Sequence, residues 1–383
     1  MCARLAPMSL SLPAQPADAR SLTDVVPMSR AAIEGVSTVL PPASSVILMV
    51  VDGLGARNLS ARKAHARFLA GAMVRRDVAR TVFPSTTAAA LTTLLTGVMP
   101  GEHGVVGYKA FVPEREEVVN QLTGWDQGLL DPLTWQRAEP FFAADAAAGR
   151  PAFVVSRPEY TDSGFTRATL RGAGVYGEAA LADRVDLAVH LARSTPGSLT
   201  YLYVPELDTV GHRRGSESEE WAFALEELDG AASRLHAAAG REVGILVTAD
   251  HGMVDVPAHR QILFGDGSLT DGLRMVGGEP RMLHLYAEPG AAAGLLAAWR
   301  DAEAARAWVL GRDEAIDAGL FGPVVADAVR PRIGDVLVAA RGRAAYYDER
   351  EPDTAPRRMV GQHGSITDEE TAVPLIRLGA FAR

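Results

Sequence analysis

The chain has 383 residues, with 38 Lys and Arg against 47 Asp and Glu, a formal net charge of -9, 48% hydrophobic and 22% charged residues. That length allows a substantial core in one large domain, or in one domain carrying an insertion. The acidic balance offers no basic stripe for a nucleic-acid backbone and so excludes a stable nucleic-acid partner, but not a small phosphate ester met through bound cations.

In chain order, residues 1–43 read as an irregular arm, punctuated by Pro13, Pro16, Pro27, Pro41 and Pro42. The one cysteine, Cys2, permits no internal disulfide. The N-terminus lacks an apolar run of secretory length, and no stretch is long enough to span a membrane. The expectation is a soluble, cytoplasmic chain with no membrane partner. "SVILMVV" from Ser45 to Val51 is apolar throughout and ends at Asp52-Gly53, the pattern of a fully buried strand. "AFVVS" from Ala152, "LTYLYVPEL" from Leu199 and "VGILVTADHG" from Val243 repeat it. Between them "ARKAHARFLAGA", "EAALADRVDLAVHLARS" and "SEEWAFALEELDGAASRLHAAAG" read as helices. Buried strands alternating with amphipathic helices predict an α/β fold, a mostly parallel central sheet with helices on both faces. Residues 254–359 change in texture. "RMLHLYAEPG", a helical run "AAGLLAAWRDAEAARAWVLG" and "IGDVLVAARGRAAYYD" predict a smaller α+β insertion. Residues 44–253 and 360–383 then form the main domain.

Functional groups in such sheets collect at the carboxyl edge. Three predicted strands end in acids, Asp52, Asp208 and Asp250. Any one alone fits a turn or a helix cap. Histidines change the reading: His212 follows Asp208 by four residues, His251 follows Asp250 directly, and His363 sits between glycines in "GQHGS". Carboxylate with imidazole is a zinc-type donor set that manganese or iron also accepts. Asp52, Asp208, His212, Asp250, His251 and His363 supply two three-ligand sites, enough for two divalent metal ions acting on one phosphoryl group. His65, His190, His236 and His259 lack such company, and His284 sits in an apolar strand pattern. In "VFPSTTAAALTTLLTG" a helix starts after Pro84, with Ser85 or Thr86 as caps. A hydroxyl there faces free backbone N–H groups. Thr92, Thr93 and Thr96 lie farther down, where back-bonding or packing is the ordinary fate.

The ordered set "VVDGLG", "FPSTTAAALTTLLTG", "DTVGH", "ADHGM" and "GQHGS" resembles the alkaline phosphatase superfamily, in its type I phosphodiesterase/nucleotide pyrophosphatase branch. The resemblance implies one metal between Asp208, His212 and His363, and another between Asp52, Asp250, His251 and a nucleophilic hydroxyl. The family's nucleophile precedes a Thr-Gly pair by nine residues. Thr96-Gly97 then selects Thr87, with Thr86 one register step away and Ser85 two. The implied activity is two-metal hydrolysis of phosphodiester or nucleotide pyrophosphate bonds through a phospho-threonine intermediate. Phosphomonoester or phosphonate hydrolysis, and a non-catalytic binding module, are the alternatives. Where the nucleotide pyrophosphatases carry an asparagine, this chain has Tyr108. His103 in the same loop reads as structural. Tyr160, Phe165 and Arg167, in "SRPEYTDSGFTRATLRGAGVYGE", are further candidates for a substrate pocket, against the reading of an ordinary surface loop.

Overall fold

The computed structural model describes residues 12–13, 19–74 and 76–382; Cys2, Pro16 and most of the first 18 residues lie outside it. An eight-stranded sheet forms the centre, in the order Arg20–Ser21, Val78–Arg80, Ala372–Gly379, Val243–Thr248, Ser45–Val51, Leu199–Val204, Ala152–Ser156, Gly174–Gly177. Neighbours run parallel except Ala372–Gly379, which is antiparallel to both of its partners. The central strands are buried on both faces, which is why they are apolar without alternation. Each such Val, Leu or Ile contributes roughly 1.5–3 kcal/mol by leaving water. Helices Leu181–Ser194 and Glu219–Ala239 pack on one another beside the sheet, the latter capped by the Ser218 side chain.

Three stretches differ from expectation. "ARKAHARFLAGA" is not one helix: the helix Ala56–Ala61 ends at its start, and a second runs from Arg67 to Ala72. The segment expected as irregular holds a helix, Val25–Ile33, with Val25, Val26, Met28 and Ala32 buried. Pro27 is tolerated because it falls in the first turn, where no intrahelical N–H partner is lost. The run "AAGLLAAWRDAEAARAWVLG" is helical only over Ala292–Glu303, and Ala307–Gly311 is a strand. There Trp308 and Val309 pair with Ala339 and Val338, so sheet pairing overrides the alanine-rich local preference.

That strand belongs to a second, antiparallel sheet ordered Leu273–Glu279, Met282–Ala287, Val336–Ala340, Ala307–Gly311. It has its own core, with Leu283, Leu285, Leu295, Trp299 and Val338. Val254–Asp255 and Gly361–Gln362 pair antiparallel where the chain leaves for this sheet and returns. No helix among the described residues is long and apolar enough to cross a membrane.

Candidate active site

Register places the acids together. Val51 pairs with Val204 and Val50 with Thr248, so three strands end at one edge. Asp52 follows the first and Asp250-His251 the third. After the second, Pro205 leads into the helix Glu206–Arg214, where Asp208 and His212 lie one turn apart on one side. Gly53 adopts φ +74, and a Cβ there would stand 3.1–3.2 Å from Asp208, so a side chain at this position would be strained and would crowd that acid.

The fourth corner comes from the helix Thr87–Thr96, which begins after an isolated bridge between Ser85 and Gly364. That bridge joins the helix entry to the loop bearing His363. It also sorts the six hydroxyls. The Ser85 hydroxyl donates to the Ser365 carbonyl at 2.6 Å. Thr92 and Thr96 donate to carbonyls one turn back, and Thr93 meets His103 Nε2 at 2.9 Å. Thr86 occupies the cap position, but neither it nor Ser85 caps the helix through its side chain; Thr86 stands beside Glu279. Thr87 Oγ1 lies 3.1 Å from His251 Nε2.

Two groups of donor atoms converge, each within 4.8 Å: Asp208 with His212 and His363, and Asp52 with Asp208 and His251. Asp208 thus stands between the two. Asp250 joins from below, with Oδ2 3.5 Å from His251 Nε2 and Oδ1 held by the N–H groups of Gly53 and His251. Each histidine is oriented by a backbone carbonyl. His212 Nδ1 meets Gly361 at 2.8 Å, His251 meets Gly252 at 3.1 Å, and His363 meets Ser85 at 3.0 Å. With Nδ1–H donating outward, each neutral ring presents the Nε2 lone pair to the centre, the arrangement of a metal-ligating imidazole.

The electrostatics also call for a cation. Asp52 Oδ1, Asp208 Oδ1 and Asp250 Oδ2 are buried without a hydrogen-bond partner. Burial pushes the Asp52 carboxyl well above its ordinary range; Asp250 and Asp208 push further, while the Tyr203 hydroxyl, which donates to Asp52, opposes them. Asp250 is raised by burial first. His363 is driven well below the usual histidine range by burial and then by His251, whose ring stacks on it at 3.6 Å, and by His212. Acids that resist ionising and an imidazole, that of His363, that resists protonation form one site when divalent charge is supplied. The donor set therefore fits metal ions.

A cavity of about 630 Å³ opens over this cluster, lined by Asp52, Thr87, Asp208, His212 and His363, with Leu91 and Leu95 continuing the Thr87 face. Tyr108, Tyr160 and Phe165 line it too. The Tyr160 ring meets Tyr203 edge-on at 5.8 Å, and the Tyr108 hydroxyl stands beside Asn120. Arg167 is not among the lining residues: on the exposed side of its short helix it pairs with Asp162 at 2.9 Å and Asp126 at 3.4 Å. His103 and His284 are buried and pushed down to about 3, chiefly by burial. Among the cavity residues that the sequence pattern did not mark are Tyr203, which holds Asp52, and Glu279. Tyr203 was absorbed into a strand pattern, although a hydroxyl-tipped ring one residue from a strand end is a usable signal. Glu279 sits in a Gly-Gly-Glu-Pro hairpin with no partner residue to mark it.

Solved structures with a similar fold include the following three. Murine ectonucleotide pyrophosphatase/phosphodiesterase 5, as an inactive threonine-to-alanine variant in complex with AMP, aligns with TM-score 0.68 at 18% identity, covering 88% of each chain. The human counterpart gives 0.66 at 18%, covering 88% of this chain and 90% of that one. Phosphonoacetate hydrolase from Sinorhizobium meliloti 1021, in complex with phosphonoformate, gives 0.68 at 20%, covering 88% and 91%. An uncharacterized pyrophosphatase/phosphodiesterase of Schizosaccharomyces pombe is 28% identical over 247 residues, 57% of this chain and 47% of that protein. The alignment thus spans about half the length of that curated relative. The family model for type I phosphodiesterase/nucleotide pyrophosphatase matches residues 46–366, and the chain belongs to that family.

Proposed function

We propose that the protein is a metal-dependent hydrolase of phosphodiester or nucleotide pyrophosphate bonds that uses Thr87 as nucleophile. The observation that carries this is the position of Thr87 Oγ1, at the start of a helix and 3.1 Å from His251 Nε2, among carboxylates whose inward oxygens have no donor. Asp208, His212 and His363 would hold one divalent ion, and Asp52, Asp250, His251 and Thr87 a second, with Asp208 near both. Zinc suits these donors, and manganese or iron accepts them. Bound there, the ions would supply the positive charge that lowers hydroxyl and water pKa values and stabilises charge developing on phosphoryl oxygens.

The chain's own groups do the rest. Thr87 Oγ1 gives up its proton to solvent and attacks phosphorus in line; a P–O bond forms, the bond to the leaving oxygen breaks, that oxygen takes up a proton from solvent, and Thr87 becomes phosphorylated. Free N–H groups of the first helical turn face the phosphoryl oxygens. Water then cleaves the phospho-threonine and restores the hydroxyl. Tyr203 holds Asp52, and the three backbone carbonyls hold the histidines, so little rearranges during turnover. The fold neighbours bound to AMP and phosphonoformate support a small phosphate- or phosphonate-bearing substrate. We place the enzyme in the cytoplasm.

Phosphonate hydrolysis is the second reading, supported by the similar fold of phosphonoacetate hydrolase. Thr87→Ala should lower turnover of bis(4-nitrophenyl) phosphate by about a hundredfold or more while metal content is retained. Retained activity in that variant sinks the assignment, and rates on diester, monoester and phosphonate separate the two readings.

A further inference from the structure

The hairpin formed by Leu273–Glu279 and Met282–Ala287 carries its tip from the second sheet to the cavity. Arg281, fully buried at that tip, donates to both oxygens of Glu370, at 2.7 and 2.8 Å, and to the carbonyls of Gly342 and Ala344. Glu370 in turn accepts the Ser365 N–H, so the tip is tied to the loop that bears His363. Glu279 lies across that loop. A Cβ on Gly364 would fall 2.6–2.7 Å from its Cγ, Cδ and Oε1. Glu279 is 8% exposed, lines the cavity beside Thr86, and neither carboxyl oxygen has a hydrogen-bond partner of good geometry.

A buried carboxyl with one hydroxyl, that of Thr86, beside it and no cation is costly, and the nearest arginine in sequence is committed elsewhere. Outside the metal cluster the cavity lining carries Asp126, Glu159, Asp348, Glu351 and Asp353 with Glu279; Arg167, Arg157 and Arg350 pair with the first three, which leaves Glu279, Glu351 and Asp353 facing Lys109 and Arg357. Those three acids favour a substrate whose far end is cationic. Building on the hydrolase reading above, we propose that Glu279 is a specificity-determining residue that receives a primary ammonium group of the substrate. The substrate class is then a phosphate ester or phosphonate bearing an amino group close to phosphorus. Both carboxyl oxygens accept, and a primary ammonium has three donors to meet them. A quaternary ammonium has none, and a hydroxyl brings one donor without charge. Burial pushes this carboxyl up to about 8, and a bound ammonium acts the opposite way, favouring the ionised form.

The test uses the full-length, metal-loaded protein and four 4-nitrophenyl phosphodiesters, whose second alcohol is 2-aminoethyl, 2-hydroxyethyl, 2-(trimethylammonio)ethyl or propyl. In the wild type kcat/KM for the aminoethyl ester should exceed each of the others by about tenfold or more. In Glu279→Gln the aminoethyl-to-propyl ratio should fall to near one. A wild-type ratio near one overturns the proposal without any variant, as does a preference that survives Glu279→Gln or one matched by the hydroxyethyl or trimethylammonio ester. If none of the esters is turned over, the hydrolase reading fails, and calorimetric binding of 2-aminoethyl phosphate against propyl phosphate decides the subsite alone. About tenfold tighter binding of the amine, lost in Glu279→Gln, sustains it; equal affinities overturn it.

Discussion

Thr86 and Thr87 are adjacent and chemically alike, yet their hydroxyls point to different partners. Thr87 meets His251, whereas Thr86 stands beside Glu279. A helix start turns successive side chains by about 100°, so one residue of register decides which hydroxyl faces the donor cluster. The motif spacing selected Thr87 among three candidates, and the backbone turn separates them in space. Tyr203 shows the reverse case, a residue whose part in the site depends on one hydrogen bond across the sheet edge to Asp52. Tyr203→Phe should weaken metal binding about tenfold by leaving Asp52 without its donor, with little change in circular dichroism. Equilibrium dialysis reads this, and unchanged metal affinity would show that the hydroxyl merely fills space.

At the scale of elements, the hairpin tip and the loop 363–370 form one unit through the Arg281–Glu370 pair, both residues fully buried. Removing one partner leaves the other charged and unpaired inside the protein. Arg281→Met should therefore destabilise by about 3–5 kcal/mol, more than the double change Arg281→Met with Glu370→Leu. Urea unfolding of the metal-free protein checks this, and a cost under about 1 kcal/mol for the single variant would refute it. This pair was invisible in the sequence, since 89 residues separate its members and neither belongs to a motif. The central strands were legible because burial on both faces leaves an unbroken apolar run, and Ser45–Val51 falls where that run predicts. The strand Ala307–Gly311 was not, because alanine-rich sequence carries a helical preference that only pairing with Val336–Ala340 reverses.

Across the whole molecule, two buried histidines outside the donor cluster set a pH dependence. His103 and His284 are held neutral, each pushed down to about 3. In the unfolded chain they take up protons near 6.5. At these two sites the unfolded state binds more protons between these limits, so their contribution to stability is full above about 6.5 and is lost as pH drops toward 3, while the raised carboxyls of Asp52, Asp250 and Glu279 act in the opposite sense. The urea midpoint of chelator-treated protein, taken relative to that of the His103→Gln, His284→Gln double variant that shares the raised acids, should decline over that window, and a difference constant from about pH 7 to 4.5 would contradict the assignment. Sequence by itself determined the α/β alternation, the order of the motifs and which acids and histidines stand in them, because those depend on residue type and local periodicity. Tertiary structure alone decided which atoms converge: Asp208 between two donor groups, Arg167 turned to the surface, Glu279 brought from the second sheet to the helix that begins at Thr87. Such contacts join residues far apart in the chain, and their positions follow from strand register and hairpin reach, which no local pattern encodes.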